Sequence, residues 1–186
     1  MKSPPQGLRH GKEKMSDSTA MPAWERQLLD RLPVFGHRNW IVVADSAYPA
    51  QSRPGIETIV SGAGQLEDAR KVADVILAAK HVRANIYLDR ELAFVHENDA
   101  PGVTEYRGQL LDAAWIHSLK ELPHEQIIAK LDKAAQLFRI LIVKTEMTIP
   151  YSSIFFELDC GYWKPEAERQ IRQAMLVTEF TETGPR

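Results

Sequence analysis

The sequence predicts an α/β fold, a mostly parallel sheet flanked by helices, and three observations carry that expectation. Short apolar runs rich in β-branched residues, such as "WIVVAD", "IETIVS", "ANIYL", "RILIVKTE" and "SSIFFEL", have the length and composition of strands. Segments with apolar residues at helical spacing fall between them. Strands alternating with helices are the pattern of a layered fold whose crossover helices cover the sheet. The 186 residues suit one domain with a core of ordinary size, and the hydrophobic (44%) and charged (26%) fractions are those of a globular chain.

Residues 1–21 are rich in Pro, Ser, Lys and Gly and read as a disordered tail or docking arm. Pro22 to Leu32 then sets Trp24, Leu28, Leu29 and Leu32 at helical spacing, and Pro33 and Gly36 end the segment. "WIVVAD" places three β-branched residues in a row, which suits a strand covered on both faces. "PAQSRPG" is a loop, and "IETIVS" a second strand. Leu66 to Lys80 puts Leu66, Ala69, Ala73, Ile76 and Leu77 on one helical face. After the strand "ANIYL", residues 89–104 form an excursion closed by an Asp-Ala-Pro-Gly turn, and a mixed segment contains "IHSLKEL". "PHEQIIAKLDKAAQLF" is a helix with Ile127, Ile128, Leu131, Ala134, Ala135 and Phe138 inward, followed by two closing strands. The domain is expected to span residues 22–163, with residues 164–186 as a helical extension packed on the body or on a neighbouring subunit.

Charge and composition exclude several functions. A formal net charge of −2, without a basic stripe, gives no general attraction for nucleic acid or an anionic membrane. The apolar runs are too short to span a bilayer, and no continuous apolar segment marks a secretory signal. A single cysteine, Cys160, rules out an intrachain disulfide framework, so a cytoplasmic protein is expected. No metal or cofactor is expected either: histidine pairs at zinc spacing, G-x-G-x-x-G and G-x-x-x-x-G-K-[ST] loops are all absent. A hydrolase-like reading lacks a nucleophile, because Cys160 has no base beside it in the sequence.

Candidate functional residues cluster at element ends. His37 follows Gly36 just before the first strand, and Asp45 closes that strand at the edge where open α/β sheets bind ligands. Eight residues of extended chain separate the two by roughly 25 Å. Either His37 belongs to a different site, or a second copy of the chain completes the pocket. His124 heads a helix in "HEQ", and Tyr151 follows Pro150 at a turn entering the last strand.

The order of these signals resembles the ribose pyranase/fucose mutarotase (RbsD/FucU) family. "GHRNWIVVADSAYP" is similar to the family's Gly-His-x-Asp, apolar strand and Asp-Ala-x-Pro signature; "HEQ" resembles its second histidine, and "IPYSSIFFELDCGYW" its closing Pro-Tyr-x-Asn strand. The resemblance covers about Leu28 to Trp163. It implies a ring-type homo-oligomer, commonly a decamer, with sugar sites between subunits. It also implies interconversion of the cyclic forms of a free monosaccharide by acid/base ring opening. His37 would then be the acid/base group, Asp45 would bind sugar hydroxyls, and His124, Tyr151 and Ser153 would complete the pocket. The pattern departs at three positions: Asn39 replaces a carboxylate, Ser153 an asparagine, and Ile128 a lysine of the pyranase members. These departures leave a second expectation open, a sugar-binding or regulatory oligomer that kept the fold without the chemistry.

Overall fold

The computed structural model describes residues 21–113, 115 and 119–182, so the expectation of an N-terminal tail falls outside the described residues. The chain builds α1 (Ala23–Arg31), β1 (Trp40–Ala44), β2 (Ile56–Val60), α2 (Gln65–Ala78), β3 (Val82–Asp89) and α3 (Val103–Leu111). It continues through β4 (Leu119–Leu122), α4 (His124–Ala134), β5 (Ile140–Lys144), β6 (Ile154–Cys160) and α5 (Pro165–Glu182). The strands form one sheet in the order β2-β5-β1-β6-β3-β4. Five strands are parallel; β6 alone is antiparallel, inserted between β1 and β3.

Alternation along β1 explains both faces of the sheet. All five of its residues are buried. Ile41 and Val43 pack with Leu28 of α1, Val72 of α2 and Val103 of α3, whereas Trp40, Val42 and Ala44 pack with Ile127 and Leu131 of α4. Successive side chains of a strand point to opposite faces, so a strand this apolar needs a cover on each. Gly161, just after β6, is required by close approach: a Cβ there would lie 2.8 Å from the backbone of Lys80 and Val82.

The structure corrects the sequence reading in three places. Leu77 is 85% exposed; the buried stripe of α2 runs through Ala69, Val72 and Ile76, and one further residue turns the side chain 100° away. The excursion after β3 contains α3, which begins at the left-handed Gly102 (φ 91°) with the Glu97 carboxylate accepting the Gly102 and Thr104 N–H groups. "LKEL" is the edge strand β4, paired with β3; its exposed Lys120 and Glu121 hid it from a reading based on apolar runs. The C-terminal segment is helical, as α5, and exposes Ile171, Met175 and Leu176. Among the described residues no helix is long and apolar enough to cross a membrane.

The packing makes a direct contrast testable by urea denaturation. Phe156→Ala, emptying a fully buried site in β6, is expected to cost about 3–5 kcal/mol. Leu77→Ala is expected to stay within about 0.5 kcal/mol of the parent.

Candidate functional site

β1 and β3 run parallel on either side of β6, and both lead into a carboxylate: Asp45 follows Ala44, and Asp89 is the last residue of β3. Ile154, the first residue of β6, is registered against both Val43 and Leu88. Ser153, one residue earlier, emerges between the two strand ends. Its Oγ donates to Asp45 Oδ2 at 2.8 Å and accepts the Asp45 N–H at 3.2 Å. Asp45 Oδ1 accepts the Ala47 N–H at 3.0 Å, a local turn that directs Tyr48 inward against Phe155. Each carboxylate oxygen keeps a lone pair for a ligand hydroxyl. Burial, reinforced by the nearby Asp89, Asp132 and Asp45, pushes the Tyr48 phenol above the ordinary tyrosine range, so it remains a neutral hydroxyl.

His124 opens α4, and its backbone N–H is accepted by both oxygens of Glu91 at 3.1 and 3.0 Å. A carboxylate at a helix N-terminus satisfies an otherwise unpaired donor and complements the helix dipole. The imidazole Nδ1 lies 3.1 Å from Oδ1 of Asp89, whose side chain is 1% exposed. Burial raises the Asp89 carboxyl to about 6, with the neighbouring His124 pulling in the opposite direction. Tyr151 meets the His124 ring edge-on, 5.6 Å between centroids. Its φ of +59° is a left-handed conformation that bulky residues avoid, at a cost on the order of 1–3 kcal/mol.

A buried network holds that strained turn. Tyr106 Oη donates to the Ser152 carbonyl at 2.7 Å, and Gln65 Nε2 donates to the same oxygen. Ser152 Oγ donates to the Ile149 carbonyl at 2.6 Å, and the Thr145 hydroxyl lies between Gln65 Oε1 (2.8 Å) and the Ala44 carbonyl (3.0 Å). Helix α2, helix α3 and strand β1 thus converge on the loop that carries Tyr151.

The result is a cavity of about 510 Å³ at the C-terminal edge of the parallel strands, lined by Asp45, Asp89, His124, Tyr151 and Ser153. Glu125 and Ile128 from α4 also face it, and among the described residues no Lys or Arg lines it. Among the described residues no group of three His, Cys, Asp or Glu side chains is placed to hold a metal.

His37 is elsewhere. It is exposed at the opposite edge of the sheet, before β1, and lines a separate cavity of about 550 Å³ with Arg83, Asp159, Cys160, Trp163 and Glu168. Burial opposes ionisation of Asp159, but the Arg83 guanidinium at 2.6 Å, the Cys160 N–H and nearby His37 hold its carboxyl below the usual range. Asn39 closes the turn around His37: its Oδ1 accepts the Gly36 N–H at 2.8 Å and its Nδ2 donates to the Arg139 carbonyl at 3.1 Å. Asp45, His124, Tyr151 and Ser153 are brought together, and His37 is not brought to them within one chain.

Sequence reasoning missed Asp89, Glu91, Tyr48 and the network beneath Tyr151. Asp89 had a signal: "ANIYLD" repeats the pattern of "WIVVAD", an apolar strand ending in a carboxylate. Because the carboxyl ionises at about 6 in the fold against an ordinary 3.8, the native state holds the extra proton between those values. Stability attributable to Asp89 is therefore present below about pH 4 and falls as pH rises to about 6. Asp89→Asn is expected to gain on the parent by on the order of 2–3 kcal/mol between pH 4 and pH 7, measured as the difference in urea unfolding free energies.

The comparisons with known proteins agree with this architecture. A structure of Bacillus subtilis RbsD complexed with D-ribose superimposes with a TM-score of 0.50 and 17% identity, covering 72% of this chain and 91% of that one. The fucose mutarotase from Streptococcus pneumoniae in complex with L-fucose gives a TM-score of 0.50 and 19% identity, covering 76% and 97%. No curated protein sequence matches the chain. The sequence pattern of the RbsD / FucU transport protein family matches residues 20–161, most of the chain and all six strands, and the protein belongs to that family.

Proposed function

We propose that the protein interconverts the cyclic forms of a free monosaccharide by acid/base ring opening. The observation that carries this reading is the cavity holding Asp45, Ser153, His124 and Tyr151, in a chain whose family includes structures with bound D-ribose and L-fucose. Ring opening of a hemiacetal needs a base for the anomeric hydroxyl and an acid for the ring oxygen, and histidine serves either role near neutral pH. Asp45 is oriented to accept sugar hydroxyls, and Tyr151 and Ser153 offer further polar contacts. Among the described residues the lining carries acidic side chains and no Lys or Arg, which favours a neutral sugar over a phosphorylated or acidic one.

In this reading His37 is the proton-transfer group contributed by a second copy of the chain. That arrangement reconciles a histidine at one sheet edge with a carboxylate at the other, and it makes the active form a homo-oligomer with interfacial sites, a ring of the family's decamer type. A second reading, sugar binding without catalysis, is favoured by one observation. Asn39 is an amide rather than a carboxylate, and its side chain is taken up by the Gly36 N–H and the Arg139 carbonyl, so it gives His37 no charged partner.

Saturation-transfer NMR on D-ribose and L-fucose separates the two. Accelerated exchange of anomers or ring forms that falls by about 10²–10⁴-fold in His37→Ala supports catalysis. Calorimetric binding with no accelerated exchange supports the binding module, and neither binding nor exchange with a panel of aldoses rejects both. Asp45→Asn is expected to weaken sugar binding by about 5- to 150-fold, the equivalent of the 1–3 kcal/mol lost when a polar partner is removed in a closed site; titration calorimetry measures it.

A further inference from the structure

We propose that Asp89 and His124 form a proton-transfer dyad within a single protomer, with Asp89 the positioning residue that presents the His124 imidazole to the sugar. The inference rests on the ring-opening reading above and deepens it, because that reading assigns no proton-transfer role to His124 and none to Asp89.

The geometry points to a tuned pair. Asp89 sits at the end of β3 with its side chain 1% exposed, and among the described residues neither of its oxygens has a conventional hydrogen bond. A buried carboxylate costs several kcal/mol unless a partner offsets it. The partner within reach is His124 Nδ1, at 3.1 Å, also buried and without another hydrogen bond. The contact is close but not aligned; catalytic hydrogen bonds commonly tighten only in the complex with substrate.

Two contacts place His124. Glu91 clamps the His124 backbone N–H, and the edge-on Tyr151 confines the ring from the side. No protein group among the described residues hydrogen-bonds Nε2, and one third of the side chain is exposed where it lines the cavity. A proton on Nδ1, directed at Asp89, leaves the Nε2 lone pair for the ligand. This is the logic of a base oriented by a third group. Asp45 and Glu125 are the other acidic groups facing the cavity; Asp45 is engaged by Ser153 and Ala47, and Glu125 is exposed on the first turn of α4.

His124 Nε2 takes the anomeric hydroxyl proton, the bond from the anomeric carbon to the ring oxygen breaks, and the carbonyl forms from the electron pair left on oxygen. The ring oxygen takes a proton from the protonated His37 of a second copy. Rotation and closure return both protons, and the resulting imidazolium of His124 is stabilised by the Asp89 carboxylate while it lasts.

The test uses full-length protein with 15N-labelled histidine, at a pH where His124 is neutral. The expected result is an Nδ1–H tautomer for His124 in the parent, without sugar, changing to Nε2–H or to a mixture in Asp89→Asn and in the apolar variant Asp89→Leu. With D-ribose or L-fucose, whichever the parent exchanges, both variants are expected to lose about 10²-fold in kcat with KM little changed. A parent ring in the Nε2–H form, or a tautomer unchanged in the variants, overturns the dyad. If either variant fails to fold, the other and the parent tautomer still decide. A parent that exchanges no sugar overturns the ring-opening reading, while the tautomer measurement decides the dyad by itself.

Discussion

The insertion of antiparallel β6 between β1 and β3 is the constraint on which the site depends. In a sheet that is otherwise parallel, one reversed strand brings its N-terminal end to the same edge as the C-terminal ends of its neighbours. The register of Ile154 against Val43 on one side and Leu88 on the other leaves no freedom in this. A slip of one residue would turn every side chain of β6 to the other face, and Phe155 and Phe156 serve different cores. Core packing therefore sets the position of Ser153 between Asp45 and Asp89 to within a residue.

Two carboxylates at that edge are treated in opposite ways by their surroundings. Asp45 is hydrogen-bonded by the Ser153 hydroxyl and by the Ala47 amide, and it faces an open cavity. Asp89 is buried, which raises its carboxyl to about 6 against the downward pull of the His124 imidazole beside it. Different environments around like groups are how a protein gives them different roles. Asp45 suits hydroxyl recognition, and Asp89 suits the orientation of a proton-transfer group.

The strained Tyr151 belongs to the same design. A positive φ at a bulky residue persists only where the surroundings over-determine it. Here Gln65, Tyr106, Thr145 and Ser152 supply that determination from α2, α3 and the loop itself. The hydrogen bonds beneath the loop hold it in place, and the phenol ring above presses on His124. At the other edge, His37 keeps company with an Arg83–Asp159 ion pair and the start of α5. The two edges are joined in function only if copies of the chain meet there.

The sequence alone determined three strands of the sheet's centre and two of the helices on it, because β1, β5, β6, α2 and α4 carry patterned apolar residues that report their own burial. It also singled out Asp45, His124, Tyr151 and Ser153, through short motifs in a familiar order. Only the tertiary structure decided the rest. Edge strand β4 and helix α3 have weak patterns, and Leu77 is apolar yet outside, since periodicity marks a face without saying where that face ends. Asp89 carried only the strand-end pattern it shares with Asp45, and Glu91 carried none, because the roles of both come from proximity to His124, 33 or more residues along the chain. Local pattern encodes which residues are buried; which buried and polar groups meet is set by strand order, and strand order is a property of the folded sheet.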